Sequence, residues 1–549
     1  MWLKKIFAAL TKKERIVFVI ALIGAGASFV IVMGMLIAQA TKAIPMAGGA
    51  YTEGVLGQPE YVNPVIATSQ TDLALVKLIY SSLPDLASSI TPSPDLKTWD
   101  VRLKPDLLWQ DGQQLTADDV IFTVQSIQNP DANSPLYQAW QGVTVNRVSE
   151  LEVTFTLSSP YAFFGDTLAN LYILPKHIFA DAPPGNWHLS NYNLKPVGSG
   201  SYKFSSYDQT RDGFITSYDL TAWDGTSGPH PLIKHFTMQF FNDENSLVQA
   251  FNNGAIGGFG NATPEDIAKL TRPARTFTWP TSGYYAVFFN NSTNIALQDP
   301  AVREALSAAV DRSALVQTAL GGNGAPEYGP IPPGAAYYAP IAPVTSSAQF
   351  AESLLDRAGW TMSSSSPYRS KTIRGVTIPL AVNLTVPEID FLAKTASYLQ
   401  TAWQAIGVQV NVLPDSANNI VQNDIPNRNY ESLLFGNVLG PSSDLYSFWD
   451  SSQDFAPGLN LAIYSNPKVD ALIEQARQNP IASSTAAELA TAAQDIANDY
   501  PAIFLYSPDY TYVANNDLRG VSTSTILTDP SDRAGEIPSW YLYTARVLK

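Results

Sequence analysis

The sequence predicts an α/β body attached to one membrane-crossing helix. Residues 16–38 form a run of 23 residues without a charged side chain, and about 1.5 Å of rise per residue is enough to cross a hydrocarbon core of about 30 Å. Residues 151–157 alternate polar and apolar side chains, which is the period of a half-buried strand. Thr116 and Asp119 have the spacing of a capping box before an apolar helical run. Strands and helices interleaved in this way favour an α/β architecture.

The apolar run is interpreted first as a retained anchor. Its N-terminal flank is basic, so the positive-inside rule predicts residues 1–15 as a cytoplasmic flank, residues 16–38 as the transmembrane anchor and residues 39–48 as a linker to an extracytoplasmic body. A cleaved signal peptide is the alternative, because Ala38-Gln39-Ala40 fits a small-x-small cleavage site. The run is longer than the usual apolar region of about 7 to 15 residues in a signal peptide, and this length favours the anchor.

Further helix boundaries can be read along the body. Thr263 followed by Asp266 repeats the capping pattern, and Asp299-Pro300 is a typical helix start. Gly359 and Gly407 are expected to end helices, since glycine readily takes the left-handed conformation found after a helix. The second of these helices is followed by an alternating segment, residues 408–413, that predicts a strand.

Composition excludes several classes of function. The net charge is −15, which repels a phosphate backbone, so no nucleic-acid partner is expected. The sequence contains no cysteine. It therefore has no disulfide, no thiolate nucleophile and no acylated cysteine of the kind that anchors a lipoprotein. Any anchor has to be the polypeptide itself.

The sequence carries no recognisable motif for catalysis or metal binding. The four histidines have no i, i+4 pair of the kind that holds zinc on a helix. There is no Gly-x-Ser-x-Gly motif, and neither glycine-rich run continues into the Lys-Ser/Thr pair of a phosphate-binding loop. We therefore predict no catalytic residue, no metal site and no cofactor. The 26 tyrosines, 24 phenylalanines and 11 tryptophans instead suit a core and a concave binding site.

Several motifs resemble those of the family 5 extracellular solute-binding proteins, the oligopeptide, dipeptide and nickel-binding group. They occur in the order in which that family has them. The matching segments are Trp109-Gln110-Asp111-Gly112, Thr116-Ala117-Asp118-Asp119-Val120, Leu174-Pro175-Lys176-His177-Ile178, Pro196-Val197-Gly198-Ser199-Gly200-Ser201-Tyr202, Asp299-Pro300-Ala301-Val302-Arg303-Glu304-Ala305-Leu306 and Tyr464-Ser465-Asn466-Pro467. From the residues alone, these motifs are turns and caps rather than catalytic groups.

The resemblance implies a two-lobed, periplasmic-binding-protein-like (type II) fold with an extra inserted domain. Two α/β lobes would be joined by crossing strands and would close on a ligand by a hinge motion. On this basis lobe one is predicted as residues 49–77, 195–283 and 510–549, the inserted domain as residues 78–194 and lobe two as residues 284–509.

The resemblance also implies which residues face the ligand. In peptide-binding relatives an extended ligand pairs its backbone with protein strands inside the closed cleft. Matching positions in this sequence are Thr68, Ser69, Gln70, Tyr137, Tyr284, Tyr285, Gly436, Asn437, Val438 and Tyr506.

One position departs from the family pattern. Peptide-binding relatives usually have Gly-Trp-x-x-Asp at the segment that begins at Gly436, and the Asp holds the α-ammonium of the ligand through a charge-assisted hydrogen bond. This sequence has Asn437 in place of the Trp and Gly440 in place of the Asp, and the nearest carboxylate is Asp444. Either Asp444 reaches the ligand from a reshaped loop, or no fixed carboxylate binds the amine. The second interpretation leaves longer peptides, internally bound peptides or a non-peptide solute open.

These observations predict the substrate-binding component of an ABC importer. It would bind peptides or similar small solutes and deliver them to a permease with its ATPase subunits, without catalysis of its own. A surface sensor or adhesion protein that keeps the solute-binding fold without transport is the alternative. A hydrolase with a pair of carboxylates in the cleft is a third possibility, but the sequence shows no convergent acid and base.

Overall fold

The computed structural model describes residues 11–343, 346–364 and 366–548. Residues 1–10 of the predicted basic flank and the last residue of predicted lobe one lie outside this part. The strands are β1 (Thr41–Met46), β2 (Ala50–Leu56), β3 (Ala87–Pro92), β4 (Thr98–Leu103), β5 (Thr144–Ser149), β6 (Glu152–Thr156), β7 (Tyr202–Gln209), β8 (Ile215–Ala222), β9 (His235–Phe241), β10 (Gly258–Phe259), β11 (Arg275–Pro280), β12 (Gly283–Phe289), β13 (Gly324–Pro326), β14 (Thr361–Ser363), β15 (Ser366–Ile373), β16 (Val376–Pro379), β17 (Ala381–Pro387), β18 (Gln409–Asp415), β19 (Ser432–Val438), β20 (Ala502–Ala514) and β21 (Tyr543–Leu548).

The longer helices alternate with these strands, as the α/β prediction requires. They are α1 (Lys12–Ala40), α2 (Gln70–Ile79), α3 (Ala117–Ile127), α4 (Glu244–Asn252), α5 (Pro300–Ala308), α6 (Arg312–Leu320), α7 (Ala348–Arg357), α8 (Asp390–Ala405), α9 (Pro467–Gln478) and α10 (Ala482–Asp499). Shorter helices include Leu83–Leu86, Tyr137–Trp140, Phe164–Ala169, Lys176–Phe179, Pro264–Ala268 and Tyr446–Trp449.

The predicted helix boundaries are confirmed where local side chains set them. Thr116 and Asp119 form the capping box of α3, and Thr263 with Asp266 caps the helix Pro264–Ala268 in the same way. Asp299 caps α5 with Pro300 at its first turn. Gly407 follows α8 with a φ of 83°, the left-handed conformation that ends a helix.

The apolar N-terminal run lies in α1, and the side chains of residues 16–36 are exposed apart from the half-buried Phe18. In the described part of the chain, Lys12–Leu36 is the one helix that is long and apolar enough to cross a membrane. A signal sequence near an N-terminus can meet the same criterion of length and composition, so the helix is compatible with an anchor and with a signal peptide.

The segment predicted as a linker is ordered in part. Thr41–Met46 forms β1, which pairs antiparallel with β21 at the other end of the chain, from Thr41 opposite Leu548 to Met46 opposite Tyr543. Local sequence could not predict this strand because its partner is about 500 residues away and an isolated strand has no hydrogen-bonded neighbour.

The main sheet has 12 strands and runs in the order β18-β17-β19-β12-β20-β10-β2-β9-β8-β7, with β11 and β13 also paired to β20. Strand β20 belongs to both halves of the sheet. Its first half pairs with β12 and β13, and its second half pairs with β11 and β10. A separate four-stranded sheet, β3-β4-β6-β5, lies within residues 78–194.

The hydrophobic clusters of the body do not coincide with its β-sheets. One continuous cluster of buried side chains joins residues of the inserted domain, such as Trp109 and Val153, with residues of lobe one, such as Phe236 and Trp540. Residues of lobe two form most of two further clusters, one on each face of its part of the sheet. Strand β12 separates them, since Tyr284 packs on one side and Val287 on the other.

Candidate functional site

The site is built around the two places where the chain crosses between the lobes. One crossing lies between β11 and β12, and the other is the middle of β20. The Ser507 hydroxyl donates to the carbonyl of Gly283 (2.7 Å), and the Thr281 hydroxyl donates to the carbonyl of Pro508 (2.6 Å). These bonds tie the two crossing segments to each other. We call residues 281–283 and 507–508, where both lobes meet, the seam.

The structure brings six of the predicted ligand residues together beside this seam. Strand β12 lies between β19 and β20, with Tyr284 opposite Asn437 and Tyr285 opposite both Gly436 and Tyr506. Val438 ends β19 and is 53% exposed. These six residues lie close together because the three strands that carry them are neighbours in the sheet.

Among these six residues, Tyr284 and Asn437 have side chains buried in the core of lobe two. The Tyr284 hydroxyl accepts hydrogen bonds from the Asn437 amide (3.0 Å) and the Trp449 indole (3.2 Å). Tyr284 is fully buried and Asn437 is 4% exposed. The alternation of side chains along the strands turns both of these side chains inward, and the ligand contact expected at these positions stays a prediction.

Tyr506 is the third buried member of the group. Its hydroxyl bonds the Thr395 hydroxyl (2.7 Å), and its ring lies 5.7 Å from that of Tyr285. Tyr285 is half-buried and also packs edge-on against Phe391 at 5.1 Å. Gly436 makes room for this ring, since a Cβ there would lie 2.9 Å from Tyr285. Tyr285 is therefore the aromatic side chain of this group that keeps some exposed surface.

The predicted residues of lobe one lie at the start of α2. Thr68, Ser69 and Gln70 are exposed, and Ser69 caps the helix by accepting from the Asp72 N–H (3.0 Å). The Gln70 side-chain oxygen accepts from the Asn261 amide at 3.4 Å. Gln70 and Asn261 line a cavity of about 140 Å³.

A buried ion pair forms part of the wall of this smaller cavity. The Arg533 guanidinium is paired with the Glu53 carboxylate, and both side chains are almost fully buried. The Tyr512 ring lies 4.4 Å and the Trp540 ring 5.2 Å from the guanidinium carbon. The pair is satisfied within the protein, so it shapes this wall without offering an unpaired charge to a ligand.

A larger cavity, of about 660 Å³, lies between the inserted domain and lobe two. Its walls carry polar and aromatic side chains, among them Gln138, Tyr161, Phe164, Asp444, Tyr446, Glu474 and Arg477. Tyr137 is half-buried in the short helix that also carries Gln138. Of the predicted ligand residues, Asp444 lines this cavity and the strand-end group of lobe two does not.

Asp444 is engaged by neighbouring side chains. Its Oδ2 lies 3.1 Å from Arg477 Nε and accepts a hydrogen bond of 3.1 Å from the Tyr161 hydroxyl. Its Oδ1 accepts from the Tyr446 N–H at 3.0 Å. The Arg477 guanidinium stacks on Tyr446 at 4.0 Å and lies 5.0 Å from Tyr161. The negative charge of Asp444 is thus balanced by protein groups.

Sequence reasoning missed the residues that join the inserted domain to lobe two. Tyr161 reaches Asp444, the Ala162 N–H donates to the Arg477 carbonyl (2.6 Å), and the Phe163 side chain is 4% exposed within the lobe-two cluster. We call residues 161–163 with Asp444 and Arg477 the clasp. No periodic pattern marked it, because the segment is an irregular loop whose partners are about 300 residues away.

Burial also perturbs carboxyl groups of lobe two, among them Glu327. It raises the pKa of Glu327 to about 8, against hydrogen bonds from the Tyr328 and Gly329 N–H groups and the nearby Arg312. In the described part of the chain, no group of three or more His, Cys, Asp and Glu side chains could hold a metal ion.

Comparison with known proteins identifies the family of this chain. The model for bacterial extracellular solute-binding proteins, family 5 Middle, matches residues 83–456, which is more than half of the chain. The oligopeptide-binding protein AppA of Bacillus subtilis is 26% identical over 494 residues, covering 87% of this chain and 89% of AppA.

Two solved structures extend the likeness to the fold. AppA of Bacillus subtilis in complex with a nonapeptide has a TM-score of 0.69 at 25% identity, covering 91% of this chain and 100% of that chain. The ABC transporter substrate-binding protein CtaP of Listeria monocytogenes has a TM-score of 0.75 at 26% identity, covering 90% of this chain and 99% of that chain. The predicted two-lobed fold and the family resemblance are confirmed, and the chain belongs to the bacterial extracellular solute-binding proteins of family 5.

Proposed function

We propose that this chain is the substrate-binding component of an ABC importer, and that it carries peptides or similar solutes to a permease driven by ATPase subunits. The observation that carries the proposal is the likeness to AppA over nearly the whole of both chains, together with the complex of AppA with a nonapeptide. The names of the matched proteins concern binding and transport, which favours an importer over a sensor or adhesion protein. We propose that the chain acts by binding alone.

Ligand recognition is proposed to rest on backbone and shape rather than on a fixed charge. The strand ends beside the seam offer Val438 and the exposed part of Tyr285. Exposed Thr68, Ser69 and Gln70 face them from lobe one in the proposed arrangement. An extended ligand would add its backbone to such strand ends, and pairing of this kind is tolerant of side-chain sequence.

The ligand amine is proposed to have no dedicated carboxylate. Asp444 already balances Arg477 and accepts from Tyr161, so a ligand ammonium would have to displace protein partners to reach it. This supports the second interpretation of the departure at Gly440, with longer or internally bound peptides as the preferred ligand class. Tyr137 stands beside the larger cavity, where an extended ligand could continue.

Attachment to the membrane is proposed to use α1. The helix is continuous from Lys12 to Ala40, and most of the apolar side chains between residues 16 and 36 are exposed. A retained anchor would keep the body on the outer face of the cell membrane, with the N-terminus in the cytoplasm.

The test is native mass spectrometry of the full-length protein, purified gently from its own host in lipid nanodiscs. Bound solutes are then released under denaturing conditions and identified. The proposal expects peptides of mixed sequence and narrow length. Non-peptide solutes would contradict the peptide class. The intact mass in the same experiment shows whether residues 1–40 are retained, so the anchor is judged separately from the ligand.

A further inference from the structure

The ribbon formed by β1 and β21 is the first structure that follows the anchor helix. It is a two-stranded sheet separate from the 12-stranded sheet, and it begins at Thr41, the residue after the end of α1. Such a ribbon is only marginally stable in water, and it normally needs a further surface to pack on. We therefore expect another surface to pack on the ribbon, and the position of the ribbon next to α1 limits which surface this can be.

The two faces of the ribbon differ in character. Because cross-strand partners share a face and alternate along the strand, one face is formed by Lys42, Ile44, Met46, Tyr543, Ala545 and Val547. Five of these six side chains are apolar or aromatic. Met46 is 44% and Tyr543 49% exposed, while Ile44 and Val547 are half-buried by the chain itself. We call this the apolar face.

The opposite face is more polar. It carries Thr41, Ala43, Pro45, Thr544, Arg546 and Leu548, and Arg546 Nε donates to the Thr41 hydroxyl at 2.8 Å. The rest of the protein covers the apolar face only in part, since Ile44 and Val547 are half-buried while Met46 and Tyr543 keep nearly half of their surface.

Chain length limits what can cover the apolar face. The apolar run ends at residue 38, so only two residues of helix, about 3 Å, separate the hydrocarbon edge from the ribbon. The headgroup layer on one side of a bilayer is about 5 to 7 Å thick, whereas six strand residues span about 20 Å. An upright ribbon would hold Met46 and Tyr543 in water beyond the headgroups. A ribbon lying flat would place the whole apolar face at the boundary between headgroups and acyl chains.

We propose that the apolar face of the β1–β21 ribbon lies flat on the outer surface of the membrane. The inference rests on the retained anchor of the proposed function. Apolar side chains together with a tyrosine and a lysine suit this interface, where aromatic rings and lysine stems are both accommodated. The adjoining bond from the Gly48 N–H to the Leu232 carbonyl (2.7 Å) fixes the ribbon to lobe one. Lobe one would therefore be held next to the bilayer by two strands instead of swinging on one flexible linker.

Single-cysteine spin labelling tests the proposal directly, because the chain has no native cysteine. The full-length protein in nanodiscs of zwitterionic and anionic lipid receives one nitroxide at a time through Met46→Cys and Tyr543→Cys on the apolar face, or Pro45→Cys and Thr544→Cys on the opposite face. Power saturation then compares accessibility to oxygen, which concentrates in lipid, with accessibility to a water-soluble nickel chelate.

The proposal expects labels on the apolar face to favour oxygen severalfold over labels on the opposite face. Equal access of the nickel chelate to both faces would show a ribbon standing free in water and would overturn it. Shielding of the apolar face from both reagents would show a protein surface covering it and would overturn it too. A label at Ser28→Cys, within the helix, reports on the anchor independently, so loss of the helix by cleavage is distinguished from failure of the ribbon to lie flat.

Discussion

The inserted domain meets its two neighbours in different ways. Against lobe one it shares a continuous hydrophobic cluster, in which Phe164 of the inserted domain belongs to the same core as Phe236 and Trp540. Against lobe two it offers the clasp, where Phe163 enters the lobe-two cluster and Tyr161 meets Asp444 beside a cavity of about 660 Å³. A shared core resists separation, whereas a smaller interface beside a cavity can open and close. We infer that inserted domain and lobe one move as one body and that the clasp opens.

Substitution of the adjacent residues Phe163 and Phe164 tests the difference between the two interfaces most directly. Phe164→Ala removes a side chain from the shared core and is expected to lower the free energy of unfolding by about 3 to 5 kcal/mol. Phe163→Ala should cost clearly less, because its site is at an interface that can open. Chemical denaturation of both full-length variants measures the two effects.

The same two variants can be compared by the distance between the inserted domain and lobe two. Nitroxides at the exposed positions Asn170 and Gln475 report the separation of inserted domain and lobe two. Phe163→Ala is expected to lengthen this distance in the absence of ligand, and Phe164→Ala to leave it unchanged. If Phe163→Ala leaves the distance unchanged and costs as much stability as Phe164→Ala, the clasp is a fixed core and the comparison fails.

The buried carboxyl group of Glu327 provides a test of the core of lobe two. It lies close to the segment on which Phe163 packs. Its pKa is about 8 in the folded protein against an ordinary value of 4.5, so the unfolded chain loses this proton at lower pH than the folded chain does. The free energy of unfolding is therefore expected to fall as pH rises from about 4.5 to 8, by up to about 5 kcal/mol.

The neutral variant Glu327→Gln should remove that fall. Melting curves of both proteins between pH 5 and 8 give the measurement. The difference between them should shift in favour of the variant as the pH rises. A parallel pH dependence in the two proteins would show that Glu327 titrates normally and that its burial is relieved by water.

Arg477→Ala is expected to weaken ligand binding by about tenfold, since it removes the charge that balances Asp444 and so disfavours the closed clasp. Lys468→Ala is the matched control on the same helix. It removes a surface ion pair, Lys468 with Asp495 at 2.8 Å, that lies outside the clasp. Titration with a peptide identified from the native protein measures both. Equal loss in the two variants would assign the effect to the helix rather than to the clasp.

The smallest effect is expected from the ligand amine. If Asp444 serves the clasp, acetylation of a peptide's N-terminus should change its affinity by less than about threefold, which is roughly 0.6 kcal/mol. Calorimetry with matched free and acetylated peptides decides this. A much larger loss on acetylation that disappears in Asp444→Asn would mean that Asp444 reads the amine, as the first interpretation holds.

Local sequence determined the elements that depend on near neighbours. The capping boxes at Thr116 and Thr263 and the helix stop at Gly407 were readable because their partners lie within three or four residues. The apolar N-terminal helix was readable from its length and composition. The order of the family motifs was enough to predict the two-lobed fold, because such turns and caps recur wherever the same backbone is built.

Only the tertiary structure decided which side chains face outward in the site. The sequence grouped Tyr284, Tyr285 and Tyr506 as aromatic residues, but Tyr284 and Tyr506 are buried and only Tyr285 keeps exposed surface. A strand covered on both faces has no polar alternation to show this. The clasp and the β1–β21 ribbon join segments about 300 and 500 residues apart. Such contacts depend on the packing of the whole chain, and no local pattern encodes them.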